Sequence, residues 1–492
     1  MDATATEINE SLEKAWKAFH IYRKYPLTRR AEFMKAIARE IEETGPLLVQ
    51  TAMKETNLPE PRLNGERART IFQLNSYADA CKRGDWLEAR IDTALSERTP
   101  PKPDIRKMLT PLGPVVVFGA SNFPFAYSTA GGDTACAFAA GCPVLLKAHP
   151  AHAETSELVA KAILRAISAT GMPDGLFTHI HGTGFEVGRA LVEHPLTKAV
   201  GFTGSFQGGK ALYDLAAKRM EPIPVFSEMG SINPVFLLPD KLAADPEWIA
   251  NLLSSSITLS VGQFCTNPGL VIGEGGAELD QFVRLLGEGI KKVAPGTMLH
   301  PGIAKAFKEK RRAALSQPSV HTVAVSAYDA GENQGIPTIA ETDAETFLDN
   351  PLLHQEVFGP YSLVVRCRNR EEMQQVADRL EGQLTSSLMA TEADIISREE
   401  LVESIKNRCG RLILNGVPTG VEVCLSMQHG GPYPATTDSR YTSVGADGIK
   451  RFARPIAYQN WPDQLLPEEL QNTNPLGIWR TVNDEISKEP IA

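Results

Sequence analysis

The sequence predicts an α/β fold that is built on a parallel β-sheet and followed by a second α/β domain. A chain of 492 residues is too long for one hydrophobic core, so two or three domains are expected. From Gly113 onward, short apolar runs alternate with segments of helical spacing. This alternation is typical of parallel strands that are covered by helices on both faces.

The elements before and after this alternating region have different patterns. Apolar residues at helical spacing over 28–43 predict an amphipathic helix that ends at Gly45. Residues 88–110 are polar and rich in proline, which predicts a protruding hairpin or an interdomain arm. A new apolar run at Asn233–Leu238 begins the second domain.

The alternating region contains five predicted strands and two clear helices. Ligands of parallel sheets bind beyond the carboxyl ends of the strands, so the loops after these runs are the expected site. The predicted helices are Glu154–Thr170 and Phe206–Arg219. The predicted strands are Val115–Phe118, Pro143–Lys147, Leu176–Ile180, Lys198–Thr203 and Pro222–Phe226.

These patterns predict three parts of the chain. Residues 1–87 and 111–227 form the first α/β domain, and residues 228–438 form the second. Residues 88–110 and 439–492 form an arm and a C-terminal tail. Because the tail is rich in Pro, Trp and polar residues, we expect it to cover another surface or a second subunit.

Composition and charge argue against several classes of protein. The formal net charge is -9 and basic residues are interspersed with acidic ones, so no nucleic-acid partner is expected. No apolar stretch is long enough to cross a membrane, and the N-terminus lacks a secretory pattern. The 7 cysteines include no Cys-x-x-Cys pair, so neither a metal site nor a disulfide framework is expected. These features predict a cytoplasmic protein.

Two glycine-containing turns are candidates for a phosphate-binding site. Gly182, Gly184 and Gly188 follow the third strand, but their spacing has one residue more than the dinucleotide fingerprint. Gly204 and Ser205 follow the fourth strand and open a helix, whose free N–H groups suit a phosphate. An ordinary helix N-cap at Ser205 explains the second turn equally well.

Lys147 ends the second strand of the predicted sheet. A lysine there either extends its amine to solvent or contacts the ribose or phosphate of a nucleotide. The position alone does not decide between the two.

Three residues are candidates for catalysis. Cys265 lies between Gly262 and Gly269, which predicts a tight loop, whereas the other cysteines are interpreted as packing residues. Glu228 closes the fifth strand, and Asn122 follows the first, both at carboxyl ends. Each has a structural alternative, since acids cap helices and asparagine is common in turns.

Six short motifs in this order resemble the aldehyde dehydrogenase superfamily over nearly the whole chain. Each motif is weak evidence by itself, and their order and spacing together carry the resemblance. They are Asn-Phe-Pro (122–124), Lys147, Phe-Thr-Gly-Ser (202–205), Glu-Met-Gly (228–230), Gly-Gln-x-Cys (262–265) and Glu-x-Phe-Gly-Pro (356–360).

The resemblance implies a thiol-based oxidation of an aldehyde with NADP or NAD. Cys265 would attack the carbonyl carbon, and Asn122 would stabilise the oxyanion, a donor typically worth about 10²–10³ in rate. After hydride transfer, Glu228 would activate the water that hydrolyses the thioester, worth about 10²–10⁴. The implied cofactor-binding residues are Lys147, Gly184, Gly204, Ser205, Glu356 and Phe358.

The resemblance also implies a Rossmann-like cofactor domain, a catalytic domain and a small β oligomerisation arm. In this arrangement the cofactor domain is 1–87 with 111–227, the catalytic domain is 228–438, and 88–110 with 439–492 form the assembly elements. A homodimer or homotetramer is therefore expected. No metal is implied.

Departures from the common family pattern bear on cofactor and substrate. Many members place an acid three residues after the ribose lysine, whereas Pro150 stands here, so a 2′-phosphate is not repelled and NADP is acceptable besides NAD. The segment from His429 to Arg440 resembles one branch of the superfamily. That branch holds bacterial 2-oxoglutarate semialdehyde (2,5-dioxopentanoate) dehydrogenases and an NADP-dependent fatty aldehyde dehydrogenase.

The semialdehyde is the preferred substrate hypothesis because that role is the commoner one in the branch. A fatty or other aliphatic aldehyde remains the alternative, and it would require an apolar tunnel instead of cationic groups. A CoA-acylating enzyme is a further alternative, which the presence of Glu228 disfavours. A non-catalytic member of the fold is disfavoured by the joint presence of Cys265, Glu228 and Asn122.

Overall fold

Two mainly parallel β-sheets form the centres of the computed structural model, which describes residues 2–491. The α/β fold class predicted from the sequence is confirmed. The helices are α1 (Ala5–Tyr22), α2 (Leu27–Thr56), α3 (Glu60–Arg83), α4 (Gly132–Ala140), α5 (Ala153–Thr170), α6 (Phe185–Glu193), α7 (Phe206–Ala217), α8 (Pro239–Ala244), α9 (Pro246–Thr258), α10 (Ala277–Lys291), α11 (Pro301–Leu315), α12 (Ala344–Asp349), α13 (Arg370–Arg379), α14 (Glu392–Ser397) and α15 (Glu399–Lys406).

Within the described residues the strands belong to three larger sheets and one two-stranded sheet. The strands are β1 (Arg90–Asp92), β2 (Ile105–Pro111), β3 (Val115–Phe118), β4 (Val144–Lys147), β5 (Phe177–Ile180), β6 (Ala199–Thr203), β7 (Val225–Glu228), β8 (Val235–Leu237), β9 (Leu270–Glu274), β10 (Gly296–Thr297), β11 (His321–Val325), β12 (Gln334–Gly335), β13 (Thr338–Asp343), β14 (Tyr361–Cys367), β15 (Gln383–Met389), β16 (Cys409–Leu414), β17 (Ala453–Gln459), β18 (Arg480–Val482) and β19 (Glu485–Ser487). In the two-stranded sheet, β10 pairs with β12.

The first sheet has five parallel strands in the order β5-β4-β3-β6-β7. Its strands are short and apolar because helices cover both faces, as the fully buried Val115–Phe118 shows. All five predicted strands are confirmed, with one shift at the last. That strand begins at Val225 and not at Pro222, because prolines 222 and 224 cannot donate ladder hydrogen bonds.

The predicted end of the N-terminal helix at Gly45 is only partly right. Gly45 leaves the helical conformation, with φ 58° and ψ -137°, but the chain resumes a helix at once and continues to Thr56. Pro46 begins the second stretch, where a missing N–H costs nothing. The two helical stretches of α2 pack against α3 and α5 beside the first sheet.

The second sheet has seven strands in the order β11-β13-β14-β9-β8-β15-β16. Only β11 runs antiparallel to its neighbour among the pairs of this sheet in the described chain. Its two faces are covered by separate apolar clusters, one of which packs against α9 and α10. The second sheet therefore has its own core.

A third sheet joins the arm to the C-terminal tail. Its order is β17-β2-β1-β18-β19, so β1 and β2 form the predicted hairpin in 88–110 and the tail supplies the other strands. Among the described residues, no helix is both long and apolar enough to span a membrane.

Candidate active site

Four predicted site residues lie at the carboxyl edge of the first sheet. Lys147 ends β4, Glu228 ends β7, and Asn122 and Ser205 lie in the loops after β3 and β6. The register pairs Phe118 with Lys147 and Thr203 with Glu228, so the strand ends are level. The structure thus brings these residues to one edge.

Cys265 lies at the amino edge of the second sheet, in the loop that precedes β9. The Asn233 side-chain amide donates to the Cys265 carbonyl oxygen at 2.9 Å and to the Asn267 carbonyl oxygen at 2.9 Å. Asn233 is fully buried, and its own Oδ1 accepts from the hydroxyls of Ser231 and Thr385. This network holds the cysteine loop against the second sheet.

Close backbone packing joins the cysteine loop to the Glu-x-Phe-Gly-Pro segment. Gly262 has φ +64°, and a Cβ there would lie 2.4 Å from the Gly359 carbonyl oxygen. Only glycine fits such a contact at such a φ. The motif containing Cys265 and the motif containing Glu356 and Phe358 are therefore one structural unit.

A histidine connects the thiol to the carboxylate. His429 Nε2 lies 3.7 Å from Cys265 Sγ and 3.1 Å from Glu228 Oε1. The Ser443 hydroxyl donates to Glu228 Oε2 at 2.5 Å. His429, Glu228 and Ser443 are all buried, and Cys265 is partly buried. The side chains thus form a chain of polar contacts from Sγ inward.

Residues 429–443, here called the C-terminal segment, carry both His429 and Ser443. They reach Glu228 by pairing with the end of β7. The Met229 N–H donates to the Ala435 carbonyl oxygen at 2.8 Å, and Glu228 forms an isolated antiparallel bridge with Thr436. The Ser443 N–H donates to the His429 carbonyl oxygen at 2.8 Å, which closes the segment on itself. The segment covers Glu228 and excludes bulk water from it.

The environment favours an ionised Glu228 and a neutral Cys265. Burial opposes the ionisation of Glu228, but contacts with His429, Ser443 and Cys265 outweigh it, and the pKa of Glu228 lies below its usual value. Burial, together with the charge of Glu228, raises the pKa of Cys265 well above its usual value. Formation of a thiolate therefore requires a nearby group to accept its proton.

Asn122 lies beside the cysteine loop, as an oxyanion donor must. Its amide Nδ2 donates to the Gln263 carbonyl oxygen at 3.3 Å, and the side chain is buried. Arg62 of α3 donates to the Asn122 carbonyl oxygen at 2.7 Å and to the Ser260 hydroxyl at 2.6 Å. One guanidinium thereby braces the loop of Asn122 against the segment that leads to Cys265.

Sequence reasoning missed the roles of His429, Ser443 and Arg62. His429 was noticed only as the first residue of an unusual segment, although a histidine is the commonest proton acceptor near neutral pH. Ser443 and Arg62 carry no local motif. Their positions depend on how the C-terminal segment and α3 pack, which no short pattern contains.

Four of the six residues predicted for a cofactor, Lys147, Gly184, Gly204 and Ser205, lie along the same edge of the first sheet. Gly184 and Ser205 are the N-caps of α6 and α7, and the Ser205 hydroxyl accepts from the Gly208 N–H at 3.2 Å. Lys147 is partly buried, and burial lowers the pKa of its amine. The Gly204 N–H donates to the Glu228 carbonyl oxygen at 3.0 Å, which ties the second turn to the site.

Glu356 faces the backbone after Glu228. A Cβ at Gly230 would lie 2.7 Å from the Glu356 carboxylate, so any larger residue there would displace that carboxylate from its position. Burial raises the pKa of Glu356 to about 7, although Lys310 and the backbone of Ser231 oppose the rise. Glu356 and Phe358 line a cavity together with Phe264 of the cysteine loop.

The geometry also allows metal binding. Donor atoms of Glu228, Cys265 and His429 all lie within 4.8 Å of one another. Such a donor set suits zinc. The same three groups equally suit a nucleophile with its proton acceptor, so the arrangement alone leaves both possibilities.

The chain matches a known protein family over most of its length and is similar to two well-matched relatives. The aldehyde dehydrogenase family pattern matches residues 1–444. Alpha-ketoglutaric semialdehyde dehydrogenase 2 of Azospirillum brasilense is 49% identical over 97% of this chain and 91% of its own length. Alpha-ketoglutaric semialdehyde dehydrogenase of Acinetobacter baylyi is 44% identical over 99% of this chain and 92% of its own.

Solved structures of more distant proteins share the fold. Glyceraldehyde-3-phosphate dehydrogenase of Methanocaldococcus jannaschii, complexed with NADP, has a TM-score of 0.78 at 21% identity, covering 93% of this chain and 95% of its own. 1-Pyrroline-5-carboxylate dehydrogenase of Thermus, with bound NAD, has a TM-score of 0.77 at 21% identity, covering 93% and 86%. At such identity the likeness concerns the fold alone.

Proposed function

Because the chain belongs to the aldehyde dehydrogenase family, we propose that it oxidises 2-oxoglutarate semialdehyde to 2-oxoglutarate with a nicotinamide cofactor. The observation that carries the chemistry is the contact of His429 with both Cys265 and Glu228. The choice of aldehyde is supported by the two relatives at 49% and 44% identity, both of which are semialdehyde dehydrogenases.

The proposed reaction begins with the thiol. The buried pair of His429 and Glu228 accepts the proton of Cys265, and the thiolate adds to the aldehyde carbon to form a thiohemiacetal oxyanion. The Asn122 amide and the backbone N–H of Cys265 donate to that oxygen. Loss of hydride from the carbon then leaves a thioester on Sγ.

Glu228 serves the second half of the reaction. Its lowered pKa keeps the carboxylate ionised near neutral pH, so it can accept a proton from water as the water attacks the thioester carbon. The C–S bond breaks, the carboxylic acid leaves, and the thiol is regenerated. Ser443 holds one carboxylate oxygen, which orients the other toward His429 and the sulfur.

The residues at the first edge fit a dinucleotide. Two helix N-termini, at Gly184 and Ser205, point N–H groups at this edge, and a Cβ at Gly184 would meet open space. The Lys147 amine forms no ion pair within residues 2–491 and is therefore available to a ribose or phosphate. We propose that Lys147, Gly184, Gly204, Ser205, Glu356 and Phe358 hold the cofactor. A nicotinamide cofactor supplies the hydride acceptor when bound.

For cofactor choice, we propose that both NADP and NAD are accepted. Pro150 places no charge against a 2′-phosphate. An acid does approach from elsewhere, because the Thr183 N–H and hydroxyl donate to the Asp2 carboxylate, and the register puts Ile180 beside Lys147. Asp2 thus partly restores the negative charge that is missing at position 150.

The test compares aldehydes and cofactors at fixed enzyme. Reduced-cofactor absorbance is followed with 2,5-dioxopentanoate, succinic semialdehyde and decanal, each with NAD and with NADP. A kcat/KM highest for 2,5-dioxopentanoate is expected, whereas a preference for decanal would move the enzyme to fatty aldehydes. Stimulation by CoA would indicate a CoA-acylating enzyme, and loss of activity on treatment with EDTA would favour a metal at Cys265.

We also propose a cytoplasmic homodimer or homotetramer that assembles through the third sheet. Large apolar side chains on and beside this sheet are about half exposed or more, and apolar surface of this kind is usual where subunits meet. The 7 cysteines are all free, as expected in a reducing compartment. Light scattering at working concentration would measure the mass. The exposed side chains are Leu95, Trp461, Leu465, Trp479 and Ile486.

A further inference from the structure

Arginine side chains lie near Cys265 without acidic partners. Within residues 2–491, Arg62, Arg69 and Arg411 form no ion pair, although burial lowers the pKa of Arg62 and of Arg411. A partly buried guanidinium without a carboxylate is costly, and one whose donors are unused can bind an anionic ligand strongly.

Two of the three guanidinium groups already donate hydrogen bonds to other groups of the protein. Arg411 donates to the carbonyl oxygens of Pro418 and Gly420 at 2.7 and 3.1 Å, so it holds a loop. Arg62 is fixed by two hydrogen bonds, and its Cζ lies 4.9 Å from the ring centre of Phe123 and 5.0 Å from that of Phe264. Neither has its main donors available for a ligand.

Arg69 differs from both. Its single hydrogen bond is long, 3.4 Å from Nη2 to the Tyr127 hydroxyl, whereas Arg62 and Arg411 each make two shorter ones; its Nε, like that of Arg411, is buried without a partner in the described chain. Glu66, one turn earlier on α3, attracts Arg69 but forms no salt bridge with it, and its Oε1 accepts from the N–H groups of Phe125 and Ala126. Arg69 thus keeps a charge and unused donors.

The position of Arg69 suits the far end of a short substrate. Tyr127, which Arg69 contacts, has its ring centre 6.1 Å from that of His429, and His429 contacts the sulfur. Tyr127 also packs against Phe123, at 5.2 Å between ring centres, in the loop that carries Asn122. The path from the sulfur to Arg69 therefore runs along one wall of the site.

We propose that Arg69, with the Tyr127 hydroxyl, binds the carboxylate at the end of the aldehyde substrate that is remote from the reacting carbon. The Arg69 guanidinium donates to the carboxylate oxygens, and the aromatic wall of Phe123 and Phe264 packs on the carbons between the two ends. This inference rests on the proposed function and assigns the residues that recognise the remote carboxylate of its substrate.

The charge of Arg69 also acts on the nucleophile, which the test must separate from substrate binding. Arg69 lowers the pKa of Cys265, although burial and the charge of Glu228 raise that pKa by more. Loss of Arg69 therefore slows thiolate formation with every aldehyde. Only a loss that depends on the substrate carboxylate supports the proposal.

The experiment compares Arg69→Met with wild type on three aldehydes. These are 2,5-dioxopentanoate, succinic semialdehyde and pentanal, the last being neutral. We expect kcat/KM to fall about 10- to 100-fold for the two carboxylates, chiefly through KM, and to change by less than about threefold for pentanal. Competitive inhibition by 2-oxoglutarate should weaken in parallel. Arg67→Met, on the opposite side of α3, serves as the matched control and should leave all three values unchanged.

Each alternative outcome has its own meaning. An equal loss with pentanal, or no loss with the carboxylates, overturns the role of Arg69. A wild-type preference for succinic semialdehyde that Arg69→Met abolishes overturns only the choice of 2-oxoglutarate semialdehyde. Should Arg69→Met fail to fold, Arg69→Lys keeps the charge but loses the two-pronged geometry, and it should retain part of the selectivity.

Discussion

The two large sheets contribute to the site from opposite ends. The first sheet presents the carboxyl ends of its strands, with Lys147 and Glu228 as terminal residues and two helix N-termini beside them. The second sheet presents the amino end of β9, where Cys265 lies in a loop before the strand begins. The rule that ligands bind at carboxyl ends therefore describes only the first half of the site.

The two edges differ in what they offer: the first suits the binding of a cofactor, and the second suits the chemical step. The first edge offers N–H groups and a lysine that suit a nucleotide, and the second edge offers a densely hydrogen-bonded loop that holds Cys265, the predicted nucleophile. Glu228 and the C-terminal segment join the two halves. Substitutions on each side should accordingly affect different steps.

The largest effect is expected on the side of the second sheet. Cys265→Ala should abolish aldehyde oxidation, because the proposed thioester forms on the sulfur that this change removes. Cofactor binding, measured by fluorescence titration, should be retained, since the first edge is untouched. Normal turnover in this variant would refute the assignment of the nucleophile.

Glu228→Gln tests the junction of the two sheets. Steady turnover should fall about 10²- to 10⁴-fold, because thioester hydrolysis lacks its base. The first burst of reduced cofactor, followed by stopped flow, should fall much less. If burst and steady rate decline equally, Glu228 acts before the thioester forms.

His429→Asn tests whether the C-terminal segment activates the thiol. Alkylation of Cys265 by iodoacetamide at pH 7 and kcat/KM should each fall by about 10²-fold, since the thiol, whose pKa is raised, then keeps only Glu228 as a proton acceptor. Mass spectrometry would assign the labelled cysteine. An unchanged alkylation rate would leave His429 as a packing residue.

The carboxyl group of Glu356, on the side of the second sheet, makes the stability of the folded protein depend on pH. Its pKa is raised from 4.5 to about 7, so the unfolded chain releases this proton first, and stability falls as pH rises through that window. Glu356→Gln removes the penalty. Urea unfolding should show the variant gaining about 1–2 kcal/mol over wild type between pH 5 and pH 8. Equal pH profiles would show that Glu356 is not buried from solvent as described.

The smallest effect concerns the first edge. Asp2→Asn should raise the NADP to NAD ratio of kcat/KM by a modest factor, because an exposed acid beside the loop of Thr183 and near Lys147 is lost. The shift should shrink at high salt. Glu10→Gln, another exposed acid near the N-terminus, is the control and should leave the ratio unchanged.

Much of the fold was predictable because its signals are local. The five strands of the first sheet are continuous apolar runs separated by helical segments, and the family motifs occur within a few residues each. Asn122, Glu228 and Cys265 could be selected from such motifs. Their mutual approach could not be measured, since they come from separate loops on two sheets.

The sequence by itself determined the fold class, the family and the residues capable of the chemistry, because residue type and spacing express those properties along the chain. Only the tertiary structure decided that His429 joins the sulfur to the carboxylate, that Arg62 is committed, and that Arg69 is left free. Those properties depend on which distant groups share a low-dielectric space and which hydrogen bonds are already made, and neither is encoded in spacing.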